Sequence, residues 1–245
     1  MIKIYNDIGV SKESVQHCLY SCKLHLPKDY RVGYISALEI IDGSGLKGTR
    51  LLILPGGRDL YYVKSLQGKG DQQIQDYLSS GGNFLGICAG SYYSGTYLIF
   101  AQATSIEVVG PRGLGLFQGI VKGPVLAPYY YGSHKGASAA RVITTYSQEE
   151  KDCYLYYNGG GYFVNAENVA DTVVLARYTN NPLAQAAIIQ CHYGLGNVVL
   201  SGIHLEYDPN MMQEAALKQI RKTLKDYNEA RIKLSKYILA LLSIA

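Results

Sequence analysis

The sequence predicts an α/β protein with a doubly wound, mostly parallel sheet, a β-rich second half and a long C-terminal helix. Three observations carry that expectation. Leu51-Leu52-Ile53-Leu54 is an unbroken apolar run of strand length, as expected of a strand covered on both faces. Through the first half of the chain, short apolar runs alternate with helix-like segments, which implies right-handed crossovers between parallel strands. After Met211, apolar residues recur at spacings of three and four, the period of a helix with one buried stripe.

The elements follow in order. Ile2 to Tyr5 reads as a short strand and Asn6 to Val10 as a loop, with Ser11 a good N-cap for the helix that follows. On that helix Val15, Cys18, Leu19, Cys22 and Leu26 form one stripe. Arg31 to Ile35 is a second strand, and Leu51 to Leu54 a third that ends in Pro55-Gly56-Gly57-Arg58-Asp59. Asp71 to Ser80 is a helix stopped by Gly81-Gly82. Asn83 to Ile87 is a strand, and a helix opens after Ala89. The glycine-rich segment Gly110 to Gly136 reads as loops around a short strand, Phe117 to Val121. Further strands are expected over Val142 to Thr145, Tyr154 to Tyr157, Thr172 to Tyr178, Ala186 to His192 and Asn197 to Gly202, with Tyr193 to Asn197 joining the last two as a hairpin. Asn210 and Gln213 have the spacing of a capping box that would open the final helix. Leu217, Ile220, Leu224, Tyr227, Leu234, Ile238 and Leu241 line its apolar stripe, interrupted by Arg231.

With 245 residues, 48% hydrophobic and 17% charged, the chain is expected to fold as one domain, residues 1–209 forming the body. Residues 210–245 are expected to pack an amphipathic helix on that body or on a second subunit, so a homodimer is open. The net charge of +4 lies wholly after Met211, where seven basic residues face three acidic ones. The body is therefore neutral, which argues against a nucleic-acid surface. The N-terminus has no signal-peptide pattern, and the longest apolar tail, Tyr237 to Ala245, is far shorter than a membrane span, so no membrane association is expected. Five cysteines without framework spacing imply reduced thiols and a cytoplasmic location. Cys18, Cys22 and His25 share a helix face, but the cysteines fall within the apolar stripe, so they read as core, and no metal or cofactor is expected. The 23 tyrosines read mostly as half-buried strand and loop residues.

Gly86-Ile87-Cys88-Ala89-Gly90 concentrates the chemistry. A lone cysteine leaves an apolar strand between glycines two positions to either side, the spacing of a nucleophile elbow. A buried, inert cysteine is the competing reading. A thiol nucleophile needs a base, and a carboxylate behind that base orients it. His204 and Glu206 stand two apart just beyond the apolar strand Val198 to Gly202, where both can point to the same side. His134 and His192 are available as well, without a comparable acid, and His17 and His25 lie on the first helix.

Gly86-Ile87-Cys88-Ala89-Gly90 together with His204-Leu205-Glu206 resembles the class I glutamine amidotransferase superfamily. Leu54 to Leu60, Gly81 to Tyr92 and Tyr157-Asn158-Gly159-Gly160-Gly161 bring the resemblance closer to the amidotransferase-like domain at the N-terminus of fungal biotin–protein ligases and its stand-alone bacterial forms. The resemblance covers roughly residues 1–209 and implies a flavodoxin-like topology. It also implies that Cys88 is the nucleophile, His204 its base and Glu206 the orienting acid, with the amides of Gly57 and Ala89 as oxyanion hole. Arg58, Asp59, Tyr92, Asp7 and Asn158 would edge the substrate pocket. Glutamine-hydrolysing members carry glutamine four residues after the nucleophile; here that position is Tyr92. No ligase or synthetase domain is expected within the chain. Two functions stay open. One is a cysteine-dependent hydrolase or amidotransferase-like enzyme acting on a small amide or related carbonyl. The other is a non-catalytic module that senses a small molecule or contacts a ligase- or synthetase-type partner.

Overall fold

The computed structural model describes residues 1–126, 128–145, 152–179 and 183–244. The first half is built from β1 (Ile2–Tyr5), α1 (Lys12–His25), β2 (Val32–Ile35), α2 (Ala37–Ile41), β3 (Leu51–Leu54), α3 (Asp59–Leu66), α4 (Lys69–Ser79), β4 (Asn83–Ile87) and α5 (Ala89–Ser94). Then come β5 (Gly95–Phe100), β6 (Val108–Pro111), β7 (Phe117–Gly123), β8 (Ser138–Thr144), β9 (Asp152–Tyr157), β10 (Tyr162–Phe163), β11 (Thr172–Tyr178), β12 (Ala186–Tyr193) and β13 (Gly196–Ser201). The helices α6 (Lys218–Asp226) and α7 (Asn228–Leu241) close the described fold.

The strands join in the order β2-β1-β3-β4-β13-β12-β10-β7-β5-β6, with β11, β8 and β9 branching from β12. The expected mostly parallel sheet holds only for part of this. From β2 to β13 neighbours are parallel, as are β5 and β7. The other described pairings are antiparallel, so the sheet is mixed. The cause lies in the connections. Parallel neighbours need a crossover, whereas the second half offers short turns such as Gly194-Leu195, which return the chain antiparallel.

The alternation of side chains sorts the core into two faces. Ile2, Ile4, Leu51, Ile53, Leu85 and Ile87 meet Val15, Cys18 and Cys22 of α1 on one side. Tyr5, Leu52, Leu54 and Phe84 meet Tyr62, Leu66, Ile74 and Leu78 of α3 and α4 on the other. Each such side chain contributes about 1.5–3 kcal/mol when fully buried. Ser11 caps α1 as expected, its side chain accepting from the Ser14 amide.

The expected single C-terminal helix is divided instead. Asn210 does not cap it; its amide donates to Asp208 Oδ1, and the helical run begins at a 3₁₀ turn, Ala215–Leu217. The run breaks again at Tyr227 and restarts at Asn228, whose Oδ1 accepts from Arg231 Nε, a side chain that competes with continued helix. Most of the apolar stripe packs inward: Leu234 and Ile238, with Leu239 beside them, join the core face of α1, and Leu217 and Leu224 join a smaller cluster with Tyr156 and Tyr207, while Tyr227 stays exposed. Arg231, the interruption in that stripe, is fully buried and paired with Asp208 at 2.6 Å. Ala245, at the end of the apolar tail, lies outside the described residues. Among the described residues no helix is long and apolar enough to cross a membrane.

Candidate functional site

Strand order explains the site. β3, β4 and β13 are consecutive parallel neighbours, so Pro55-Gly56-Gly57, Cys88 and Ile203-His204 leave the sheet side by side at its carboxyl edge. The chain reverses direction across the sheet between β1 and β3, which places a crevice at this edge. A cleft of about 460 Å³ opens there, and Gly57, Arg58, Asp59, Cys88, Ala89, Tyr92, Asn158 and His204 all line it.

Cys88 is held in a left-handed conformation, φ 50° and ψ −103°, which costs a non-glycine residue about 1–3 kcal/mol. Its amide donates to Ser201 O at 2.8 Å, tying the elbow to β13. The glycines answer to close packing: a Cβ at Gly90 would collide with the Leu54 carbonyl oxygen, and one at Gly86 would come within 2.9 Å of Gly90 O. Cys88 is 7% exposed and that exposure opens on the cleft. The other four cysteines are buried and free; Cys18 and Cys22 belong to the core, and burial holds both thiols protonated by raising their pKa values. The described residues contain no group of His, Cys, Asp and Glu suited to a metal.

His204 Nδ1 lies 2.7 Å from Glu206 Oε1, and both are buried. With the carboxylate as acceptor, Nδ1 carries a proton and the other ring nitrogen is not engaged by Glu206; His204 and Cys88 line the same cleft. Burial alone would lower the imidazole pKa. The Glu206 carboxylate, hydrogen-bonded to the ring, and the nearby Cys88 sulfur outweigh it and raise it to about 10. The neighbouring His17 behaves oppositely: burial lowers it to about 4, and the His204 charge disfavours a second cation beside it. His17 therefore stays neutral, accepting from the Asp208 amide at 3.0 Å and stacking on Tyr207.

Several residues with no warning in the sequence complete the surroundings. Ser14 Oγ donates to Glu206 Oε1 at 2.8 Å and accepts from the Gly56 amide at 2.9 Å, so one buried hydroxyl joins the acid to the Gly56-Gly57 loop. Tyr62 OH holds the same loop through Pro55 O, and Val10 bridges Gly57. Among the described residues the amides of Gly57 and Ala89 have no hydrogen-bond acceptor, and both residues line the cleft. Tyr156 presents its ring edge to His204 and stacks on Tyr207. Tyr156 OH meets His134 at 2.7 Å, and Tyr207 OH donates to Glu13 at 3.1 Å. Tyr129 and Tyr131 line the wall too, so part of the tyrosine content serves this cleft rather than general packing.

The expected pocket residues fare differently. Asp59 lines the cleft, but its carboxylate is engaged by Arg112 Nε and Nη2 at 2.8 and 2.6 Å. Tyr92 is buried, and its hydroxyl donates to Gly159 O at 3.1 Å, so it closes the glycine loop against the wall. Asn158 donates to Ser133 O at 3.0 Å. Arg58 sits over the Tyr131 ring, 4.7 Å from its centroid. Asp7 is a correction. It does not line the cleft; its two oxygens accept from the amides of Ile8 and Ala37, and it holds the start of α2.

Comparison with known proteins shows the family of the chain. The family model described as biotin-protein ligase, N terminal, matches residues 1–245. A biotin–protein ligase of Schizosaccharomyces pombe is 35% identical over 209 residues, 84% of this chain and 33% of the relative, so the chain spans about a third of that ligase. A Chlamydia muridarum protein described as uncharacterized is 34% identical over 244 residues, 95% of this chain and 93% of the relative. Among solved structures, a GMP synthase-like protein of Thermoplasma acidophilum shares the fold, with TM-score 0.51 and 12% identity over 99% of this chain and 98% of that one.

Proposed function

This chain belongs to the biotin-protein ligase N-terminal family, and from that premise and the geometry at Cys88 we propose that it is a cysteine-dependent hydrolase or amidotransferase-like enzyme acting on a small amide or related carbonyl. One observation carries the reading. A cleft-facing cysteine in a left-handed turn shares its cleft with an imidazole that a buried carboxylate supports from behind. A module that only binds needs none of this arrangement.

In the proposed reaction Cys88 Sγ attacks the carbonyl carbon and the carbonyl π electron pair moves onto oxygen. The amides of Gly57 and Ala89 are the donors available for that oxyanion. A His204 pKa of about 10 means the ring is charged at neutral pH, so it can give its proton to the departing amine. The resulting thioester is attacked by water or an amine. His204 takes the proton from the incoming nucleophile, and the C–S bond breaks to restore the sulfur. Glu206 holds the ring through Nδ1 and stabilises the imidazolium. Thiol attack gives no means of joining a carboxylate to a nucleotide, so biotin ligation lies outside this reading.

The test is the burst of nitrophenolate released from p-nitrophenyl acetate, with intact mass to detect the acyl-enzyme. One acetyl group per chain is expected, lost entirely in Cys88→Ser and formed roughly 10²–10⁴-fold more slowly in His204→Ala. An unchanged burst in Cys88→Ser would exclude the assignment. The non-catalytic alternative draws on Tyr92 standing where glutamine hydrolysers carry glutamine, and it predicts no acetylation in any variant.

A further inference from the structure

We infer that the ligand of this cleft carries a carboxylate, bound by Arg58 at the mouth while the reacting carbonyl lies over Cys88; this rests on Cys88 being the nucleophile. The cleft lining contains a single arginine or lysine among the described residues, Arg58. No described carboxylate lies within ion-pair distance of it, although acids are close at hand. Asp59, the adjacent residue, is held by the fork of Arg112. Glu13 accepts from Tyr207 and faces His134 at 3.5 Å. Glu206 is buried behind His204 with Ser14. The local acids are thus committed elsewhere, and the exposed guanidinium keeps its donors.

Its placement suits recognition. Lying over Tyr131 holds the guanidinium against a ring without using its N–H donors, and a guanidinium edge matches the two oxygens of a carboxylate. Tyr129 and Tyr131 line the same cleft as Arg58 and Cys88, so the two groups share one small space. Lys64 and Lys135 also sit over tyrosines, Tyr61 and Tyr130, but none of those four lines the cleft. Their cations lie outside the cleft lining, whereas Arg58 belongs to it. The substrate class is therefore a small amide, thioester or similar carbonyl compound bearing a free carboxylate.

Iodoacetate and iodoacetamide separate this claim from the one it rests on, because they differ in one carboxylate. Second-order alkylation rates of Cys88 are measured with each reagent, at matched pH and ionic strength, by peptide mass mapping of the full chain. The iodoacetate-to-iodoacetamide ratio is expected to fall about fivefold in Arg58→Gln, the effect of one exposed charge contact. It should be largely kept in Arg58→Lys and unchanged in Lys64→Gln. An unchanged ratio in Arg58→Gln, or an equal fall in Lys64→Gln, overturns the carboxylate site. Iodoacetamide alone reads the nucleophile: if its rate is that of an ordinary thiol, the Cys88 assignment fails, whatever the ratio does.

Discussion

At the scale of single residues, two histidines on adjoining elements carry opposite electrostatic roles. His204 has a folded pKa near 10, above the ordinary 6.5, so its contribution to stability is complete below about pH 6.5 and is lost as pH rises toward 10. His17, lowered to about 4, is neutral when folded but takes a proton near pH 6.5 when unfolded, so stability falls as pH drops from 6.5 to 4. Denaturant unfolding across that range should show both flanks. His204→Gln should flatten the alkaline one and His17→Asn, which keeps an acceptor for the Asp208 amide, the acid one; flanks unchanged in both variants would contradict the assignment. Ser14→Ala should cost about 1–3 kcal/mol in the same measurement, because it strips a buried carboxylate of a donor and orphans the Gly56 amide. These roles differ in how far the sequence announced them. The placement of Cys88, His204 and Glu206 at neighbouring strand ends was legible because strand ends and glycine spacing are local signals. Ser14 was not, because its partners stand 42 and 192 residues away in the chain.

At the scale of elements, the parallel half was readable because a strand buried on both faces leaves an apolar run, as at Leu51–Leu54. The helix expected after Ala89 was readable as a start but not as a length. It ends at Ser94, and β5 follows at once because Thr96-Tyr97-Leu98-Ile99-Phe100 pairs with β7 and β6, contacts no local pattern encodes. α2 and α3 escaped notice, although Ser36 and Glu39 form a capping box that could have found the first. The C-terminal helices gained an anchor where the stripe looked broken. Arg231 and Asp208 form a fully buried pair two residues beyond Glu206, so α7 helps fix the loop that carries the acid. Arg231→Ala should destabilise by about 3–5 kcal/mol, since it strands a buried carboxylate, and Arg231→Met with Asp208→Asn should recover much of that loss. Chemical denaturation of the single and double variants decides it: an Arg231→Ala cost below about 1 kcal/mol would mean the pair does not anchor the helix.

At the scale of the whole molecule, the chain uses one sheet edge to gather groups from five regions: the loop after β1, the start of α1, the Gly56-Gly57 loop, the elbow and the segment after β13. The antiparallel extension supplies the outer wall through Tyr129, Tyr131, Tyr156 and Asn158. Those wall residues could not be read from the sequence, since each tyrosine has a plausible packing role until the chain is folded. The proposed chemistry depends on coupling between sulfur and imidazole across that edge. The direct measurement is the rate of Cys88 alkylation by iodoacetamide from about pH 5 to 9 in wild type, His204→Ala and Glu206→Gln. Wild type should stay fast well below pH 8, where an ordinary thiol slows about tenfold per pH unit, with His204→Ala reverting to that ordinary slope and Glu206→Gln falling between. Three superimposable profiles, all with the slope of an unassisted thiol, would contradict that coupling.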